Sequence, residues 1–394
     1  MLDTYTITHI QKGAPMKWYR EIRTAVKLCM PFLLPTQGAN LALLIRAILL
    51  KRTLCLTELA RTYPRPIERQ VPNAKHELLH RLKRLSRFLA NGQVDPLTVQ
   101  CALLPYVLAR LSSLYRVGLC IDWTYFDGPT FRIQVLKIGL ARQGRVIPLL
   151  QVAYDRDDLP ADKSQNQIEE EALAAVLAAL PKHCRAIILG DRGFARSEFF
   201  RWLMARKLDF VIRIHKGTCI TDSSGQRRKL GIDLTLKLGE QLWVGSVRYA
   251  LHHGRPRDIW LNVACSWCST ESVASRKASS EPDEPWYLAT TLASTKLAVA
   301  WYHRRFWIEE SFRDDKSRLL LDEVRVESTA RLNRLLMALT IAVCWLCLIA
   351  DPKTGVLPPN WAASVVTWGK ASLVLSALTY LDECLFLPRV LEPT

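Results

Sequence analysis

No stretch of this 394-residue chain is apolar for the roughly 20 residues that a membrane-spanning helix needs. The longest candidate, Leu335–Ala350 (LLMALTIAVCWLCLIA), has 16 residues, follows Arg331 and Arg334, and stops at Asp351-Pro352. A buried core helix is expected there, and no membrane partner. The opening residues, MLDTYTITHIQKGAP, lack the apolar core of a secretory leader. The expected setting is therefore a reducing cytoplasm, with the 11 cysteines as free thiols. Internal repeats and low-complexity tracts are absent. Zinc-type ligand spacing is missing too. Two C-x2-C pairs occur, Cys265/Cys268 and Cys344/Cys347, but 75 residues separate them and the second pair sits in an apolar run. Structural cysteines are the expectation, and neither His303 nor the His252-His253 pair has metal-like spacing.

Acidic residues are scarce in one region. Residues 1–121 hold 6 Asp/Glu against 18 Lys/Arg, a balance of +12. Residues 122–394 hold 31 against 36, a balance of +5, within a total of +17. A basic N-terminal third binds polyanions by counterion release, so DNA, RNA or an anionic membrane are the candidate partners. Otherwise the composition is that of a folded protein, 49% hydrophobic and 23% charged, long enough for two or three domains.

Residues 17–115 read as mostly helical. Thr57–Tyr63 predicts a short helix stopped by Pro64, followed by the turn PRPIERQVPN and a helix over Ala74–Leu89. Leu78, Leu82, Leu85 and Leu89 make an apolar stripe on that helix, and Arg81, Lys83, Arg84 and Arg87 cover much of the rest. A short helix, a turn and a basic helix resemble a helix-turn-helix, which makes Arg81, Arg84 and Arg87 candidate DNA contacts; a solvated helix in an all-α bundle fits the same pattern. From Val117 the period changes. Strands are expected at Val117–Ile121, Phe131–Leu140 and Val146–Tyr154, the three forming a meander, then a helix at Gln165–Leu180 and a strand at Ala186–Gly190. A helix at Arg196–Arg206 and a strand at Leu208–Ile214 follow. Residues 215–285 read as β-rich with a polar loop at Ser266–Pro285. Trp286–Thr291 resumes as a strand, and Leu297–Arg318 predicts one helix.

That last helix carries the most specific pattern, Trp301–Lys316 (WYHRRFWIEESFRDDK). Tyr302, Arg305, Glu309 and Lys316 are spaced so that, at about 100° per residue, they fall within roughly 60° of one another. Glu310 lies about 100° away and is excluded from that face. One face would thus carry a carboxylate for a divalent cation beside two cations and a phenol for phosphate; ordinary Glu–Arg and Glu–Lys pairs are the structural alternative. Two further carboxylates end apolar strands: Asp122 after VGLCI and Asp191 after AIILG. A carboxylate at the end of a buried strand needs water, a partner or a metal. Asp127, Asp155, Asp157 and Asp158 read as turn and loop residues.

The Y-x2-R-x3-E-x6-K spacing and the run Asp191-Arg192-Gly193-Phe194 resemble the Y-R-E-K signature and D-x-G-[FY] element of bacterial insertion-sequence DDE transposases, family four. The resemblance covers about residues 117–340. It implies a mixed α/β sheet with a ribonuclease H-like core, in which Asp122, Asp191 and Glu309 hold two Mg²⁺ ions, with Mn²⁺ able to substitute. It implies that Tyr302, Arg305 and Lys316 grip DNA near the cleaved phosphate, and Trp286 is a candidate for stacking on an extruded base, although a strand Trp also suits a core. The implied partners are terminal inverted repeats, target DNA and a second copy of the chain on paired ends, with the protein on the nucleoid when bound. The implied organisation is a helical DNA-binding region (1–115), the first part of the core (116–214), a β-rich insertion (215–285), the rest of the core (286–340) and C-terminal helices (341–394). Two other readings stay open: a catalytically silent DNA-binding derivative, and a nuclease of the same fold without strand transfer.

Overall fold

Each of the five strands expected between residues 117 and 214 forms. They are β1 (Arg116–Asp127), β2 (Arg132–Arg142), β3 (Arg145–Asp155), β4 (Arg185–Gly190) and β5 (Asp209–Ile214). The computed structural model describes residues 17–63, 74–111, 115–128, 132–142, 144–157, 159, 163–249, 251–252, 255–256, 259–267, 284–350, 377–379 and 381. The turn 64–73, most of the polar loop and most of the C-terminal helical region lie outside these.

The chain divides into two compact units that do not follow sequence order. The first takes residues 1–114, 123–182 and 309–394, and the second 115–122 and 183–308, so β1 runs through both. In the first unit β2 and β3 form an antiparallel hairpin, paired from Ile133↔Asp155 to Arg142↔Arg145. Its helices are α1 (Lys17–Cys29), α2 (Pro35–Lys51), α3 (Leu56–Arg61), α4 (Ala74–Leu89), α5 (Pro96–Arg110) and α6 (Gln165–Ala179). Helix starts follow side-chain chemistry. Asp95 accepts from the Thr98 amide (2.7 Å) ahead of Pro96, and Ser164 and Gln167 form a reciprocal capping box.

In the second unit β1, β4 and β5 are parallel, with Cys120 opposite Leu189 and Leu189 opposite Val211. This unit adds α7 (Ser197–Ala205), β6 (Cys219–Thr221), β7 (Arg227–Lys229), α8 (Leu230–Asp233), β8 (Gln241–Tyr249) and the short pair β9 (Leu251–His252) and β10 (Arg255–Pro256). It then adds β11 (Trp260–Ser266) and β12 (Trp286–Thr290). Its strand order is β1-β4-β5-β12-β11-β8-β6-β7. The β-rich stretch thus extends the same sheet beyond β12. An antiparallel β2/β3 hairpin with α6 in one unit, and parallel β1, β4 and β5 with α7 in the other, make up a mixed α/β, ribonuclease H-like fold.

Two expectations need correction. The helix expected over Leu297–Arg318 is interrupted: α9 (Thr295–Tyr302) tightens into a 3₁₀ turn at His303–Phe306 before α10 (Trp307–Leu319) begins. Trp286 wedges against Tyr302, His303 and Phe306 at this point, so packing dictates the local winding. The apolar run at 335–350 is also only part of its helix. Helix α11 spans Thr329–Ala350, 22 residues, and by length and composition alone it could cross a membrane. Its apolar window is 94% buried within the protein. The polar start is absorbed by specific bonds. Asn333 clamps both backbone groups of Ala153 on β3 (2.6 and 2.8 Å), and Arg334 donates to the carbonyls of Leu89 and Val94 (3.1 and 3.0 Å).

Candidate active site

Parallel neighbours deliver their C-terminal ends to the same edge of a sheet, and this places Asp122 and Asp191 together. Asp122 stands on β1 just past the segment paired with β4, and Asp191 follows the last residue of β4. The turn after β4 explains its own sequence. Asp191 caps the 3₁₀ turn Arg192–Phe194, its Oδ1 accepting from the Gly193 amide at 2.8 Å. A Cβ on residue 193 would sit 3.1 Å from that oxygen, so glycine lets the carboxylate fold over the backbone. Phe194 is buried beside Phe199, and a Cβ at Gly190 would press on it at 3.2 Å. The turn is therefore held from below by an aromatic plug and leaves its carboxylate at the surface.

Both carboxylates converge on one cation. Arg305 Nη2 donates to Asp122 Oδ2 at 3.0 Å and lies 3.7 Å from Asp191 Oδ2. Those two oxygens can be no farther apart than these distances together. Like charges so close need a counter-charge, and the guanidinium supplies it. The Asp122 side chain is 12% exposed and that of Asp191 37%, so the cluster opens to water on the Asp191 side. Arg305 is fixed from behind. The Cys120 thiol donates to the Arg304 carbonyl (3.5 Å), and the Trp301 ring lies over Gly118, where a Cβ would meet it at 3.1 Å. Burial pushes the Cys120 thiol up, Arg305 opposing and Asp122 reinforcing the shift.

The other signature residues are placed differently. Tyr302 is buried, edge-on to Trp286 at 4.9 Å and to Phe306 at 5.8 Å. Trp286 is buried as well and stacks on Phe306 at 5.5 Å. As folded, neither ring is presented to solvent; both belong to an aromatic cluster behind Arg305. Glu309 lies half-buried in the first turn of α10, in the first unit. Lys316, at the far end of α10, donates to the Tyr125 carbonyl at 3.0 Å, and burial holds its amine below the ordinary lysine range. Glu310 pairs with Arg313 at 2.7 Å and lies 3.7 Å from Arg145. Asp157 lies in the bend after β3 and pairs with Arg132, whereas Asp127 and Asp155, expected in turns, are the last residues of β1 and β3.

On α4, Arg81 pairs with Glu77 and donates to the Arg61 carbonyl, and Arg84 donates to Asn40 Oδ1 (2.8 Å) and lies over the Tyr63 ring. Arg84 and Arg87 are exposed. Among the described residues no group of three or more His, Cys, Asp or Glu is drawn together as a metal centre would require. The pair of carboxylates on Arg305 nonetheless suits a hard divalent cation: the two already share one positive charge, and their donor atoms are all oxygen. Sequence reasoning missed Lys137, Ser311 and Asp315, which form a sealed ionic cluster under α10. The available signal was a lysine flanked by Val135-Leu136 and Ile138 in the middle of a buried strand.

The sequence matches the Transposase DDE domain family over residues 116–345, more than half of the chain. The chain belongs to the DDE transposase family. The matched span opens at the first residue of β1 and closes in α11, and so takes in Asp122, Asp191, Arg305 and Glu309. No curated protein matches this transposase sequence. Among solved structures it is similar to a cryo-electron-microscopy structure of the piggyBac transposase synaptic complex with hairpin DNA. Identity there is 11% and the TM-score 0.43, over 98% of this chain and 76% of the other.

Proposed function

We propose that this transposase acts on the ends of a bacterial insertion sequence of the Y-R-E-K group, cutting DNA there and joining the freed 3′ ends to a target. The observation that carries the reading is the convergence of Asp122 and Asp191 on Arg305 at one sheet edge, inside the matched family domain. Asp122, Asp191 and Glu309 would hold two Mg²⁺ ions, or Mn²⁺ in their place. When bound, such ions lower the pKa of a water or 3′-hydroxyl and stabilise the leaving oxygen of an in-line displacement. Arg305, once its carboxylates are otherwise neutralised, presents a planar fork suited to a phosphate. Lys316 adds a point charge at the other end of α10. Tyr302 and Trp286 support Arg305 from behind in the present conformation, and their contact with DNA requires the aromatic cluster to open.

The basic helices α1–α5, with Arg81, Arg84 and Arg87 on α4, would bind the terminal inverted repeats, and two copies would bring paired ends together in the cytoplasm. The test uses the full chain and a labelled duplex of the DNA flanking its reading frame. Cuts at the element boundary should need Mg²⁺ or Mn²⁺ and vanish in Asp191→Asn and Glu309→Gln, with DNA binding retained. Cleavage that survives EDTA or both substitutions would sink the assignment. Binding without any cleavage by the parent chain would favour a silent DNA-binding protein, and cleavage without 3′-end joining a simple nuclease.

A further inference from the structure

Helix α10 carries Glu309 in its first turn, but the chain just before it is a 3₁₀ turn rather than continuous α-helix. Its rotation and height are therefore set by what it touches. In the first unit one of its contacts is completely buried. Lys137, in the middle of β2, is completely buried, and its ammonium donates to Asp315 Oδ2 (2.7 Å) and Ser311 Oγ (2.9 Å). The same ammonium lies 4.3 Å from the Phe312 ring centroid. Residues 311, 312 and 315 are successive points on one helical face, so a single cation grips one turn of α10. Arg145 on β3 holds the adjoining side, its Nε 3.1 Å from Asp314 Oδ2, while Arg318 donates to the other Asp314 oxygen at 2.7 Å.

A sealed ion pair is a poor way to gain stability, because an apolar pair of similar volume avoids the desolvation of both charges. Its best-attested use is to fix register. A shift of α10 by one turn, about 5.4 Å, or a rotation by one residue, about 100°, would leave Lys137 buried without Asp315. We propose that Lys137, Ser311 and Asp315 form a register clamp that positions Glu309 for the divalent cation, making Lys137 a positioning residue of the transposase. This rests on Glu309 being a metal ligand.

The test compares the full-length parent, Lys137→Met with Asp315→Leu, Ser311→Ala, and Glu309→Gln. Two quantities are read: hydrogen exchange of the 307–319 peptide without metal, and Mn²⁺ affinity by electron paramagnetic resonance. The apolar double variant should keep the parent's melting temperature, exchange faster in 307–319 and bind Mn²⁺ about 10-fold more weakly. Combining it with Glu309→Gln should add no further loss of affinity. Unchanged exchange in 307–319 overturns the clamp. Faster exchange with parent-like Mn²⁺ binding overturns it as well, provided Glu309→Gln alone weakens binding. If Glu309→Gln leaves Mn²⁺ binding intact, the three-carboxylate reading fails, and the clamp is then judged on exchange alone. Should the double variant not fold, Ser311→Ala, which keeps the ion pair and removes one partner of Lys137, is read by the same two measurements.

Discussion

Arg305 and Lys137 are both buried cations facing aspartates, yet their surroundings differ. The Lys137–Asp315 pair is shut, with 0% and 1% of the two side chains exposed. The Arg305 cluster is sealed on the Asp122 side and open at Asp191. A closed pair can only hold position, because any exchange of partner strands a charge in a low dielectric. An open cluster can trade its counter-charge for one arriving from water. Exposure, rather than residue type, separates a structural ion pair from a site able to do chemistry.

The largest expected effect breaks the closed pair. Lys137→Ala leaves Asp315 buried without its cation and should cost about 3–5 kcal/mol in denaturant unfolding. A cost near zero would mean that water reaches Asp315 and that the pair is not sealed. The matching change in the open cluster, Arg305→Ala, should cost less, about 1–2 kcal/mol, since water can reach Asp191. Excess Mg²⁺ should then raise the melting temperature of Arg305→Ala more than that of the parent, because the cation replaces the missing guanidinium. Equal Mg²⁺ shifts would show that the two carboxylates do not share a cation site.

A third set of charges extends the comparison to full exposure. Arg84→Ala with Arg87→Ala should change stability little, yet reduce the slope of log affinity for DNA against log salt by about 2. An unchanged slope would move the DNA-binding surface away from α4. The smallest effect is chemical. Burial pushes the Cys265 and Cys347 thiols up to about 12 and raises those of Cys120 and Cys344. Near neutral pH these four should resist iodoacetamide in the folded protein while exposed Cys55 reacts, as peptide mass spectrometry would show. Fast labelling of Cys344 or Cys347 would mean that α11 opens readily.

Much of the fold was legible in the chain. Helix α4 has the expected bounds, and the strands appear where the apolar runs lie, because burial on a face imprints a period on the sequence. Asp191-Arg192-Gly193-Phe194 was legible as a family element at the end of a strand, and the structure shows it to be a 3₁₀ turn whose glycine admits the carboxylate. The signature helix was less legible. Its spacing assumed α-helical winding throughout, and the Trp286 wedge, from a strand 16 residues upstream of Tyr302, replaces one turn by 3₁₀ geometry.

The sequence by itself determined the periods, the caps, the basic N-terminal third and which carboxylates stand at Asp122, Asp191 and Glu309. Only the tertiary structure decided which charges meet. Arg305 reaches Asp122 across 183 residues, and Lys137 reaches Asp315 across 178. Local periodicity records whether a side chain is buried, but the identity of its partner depends on strand order and crossovers, which no short window of sequence contains.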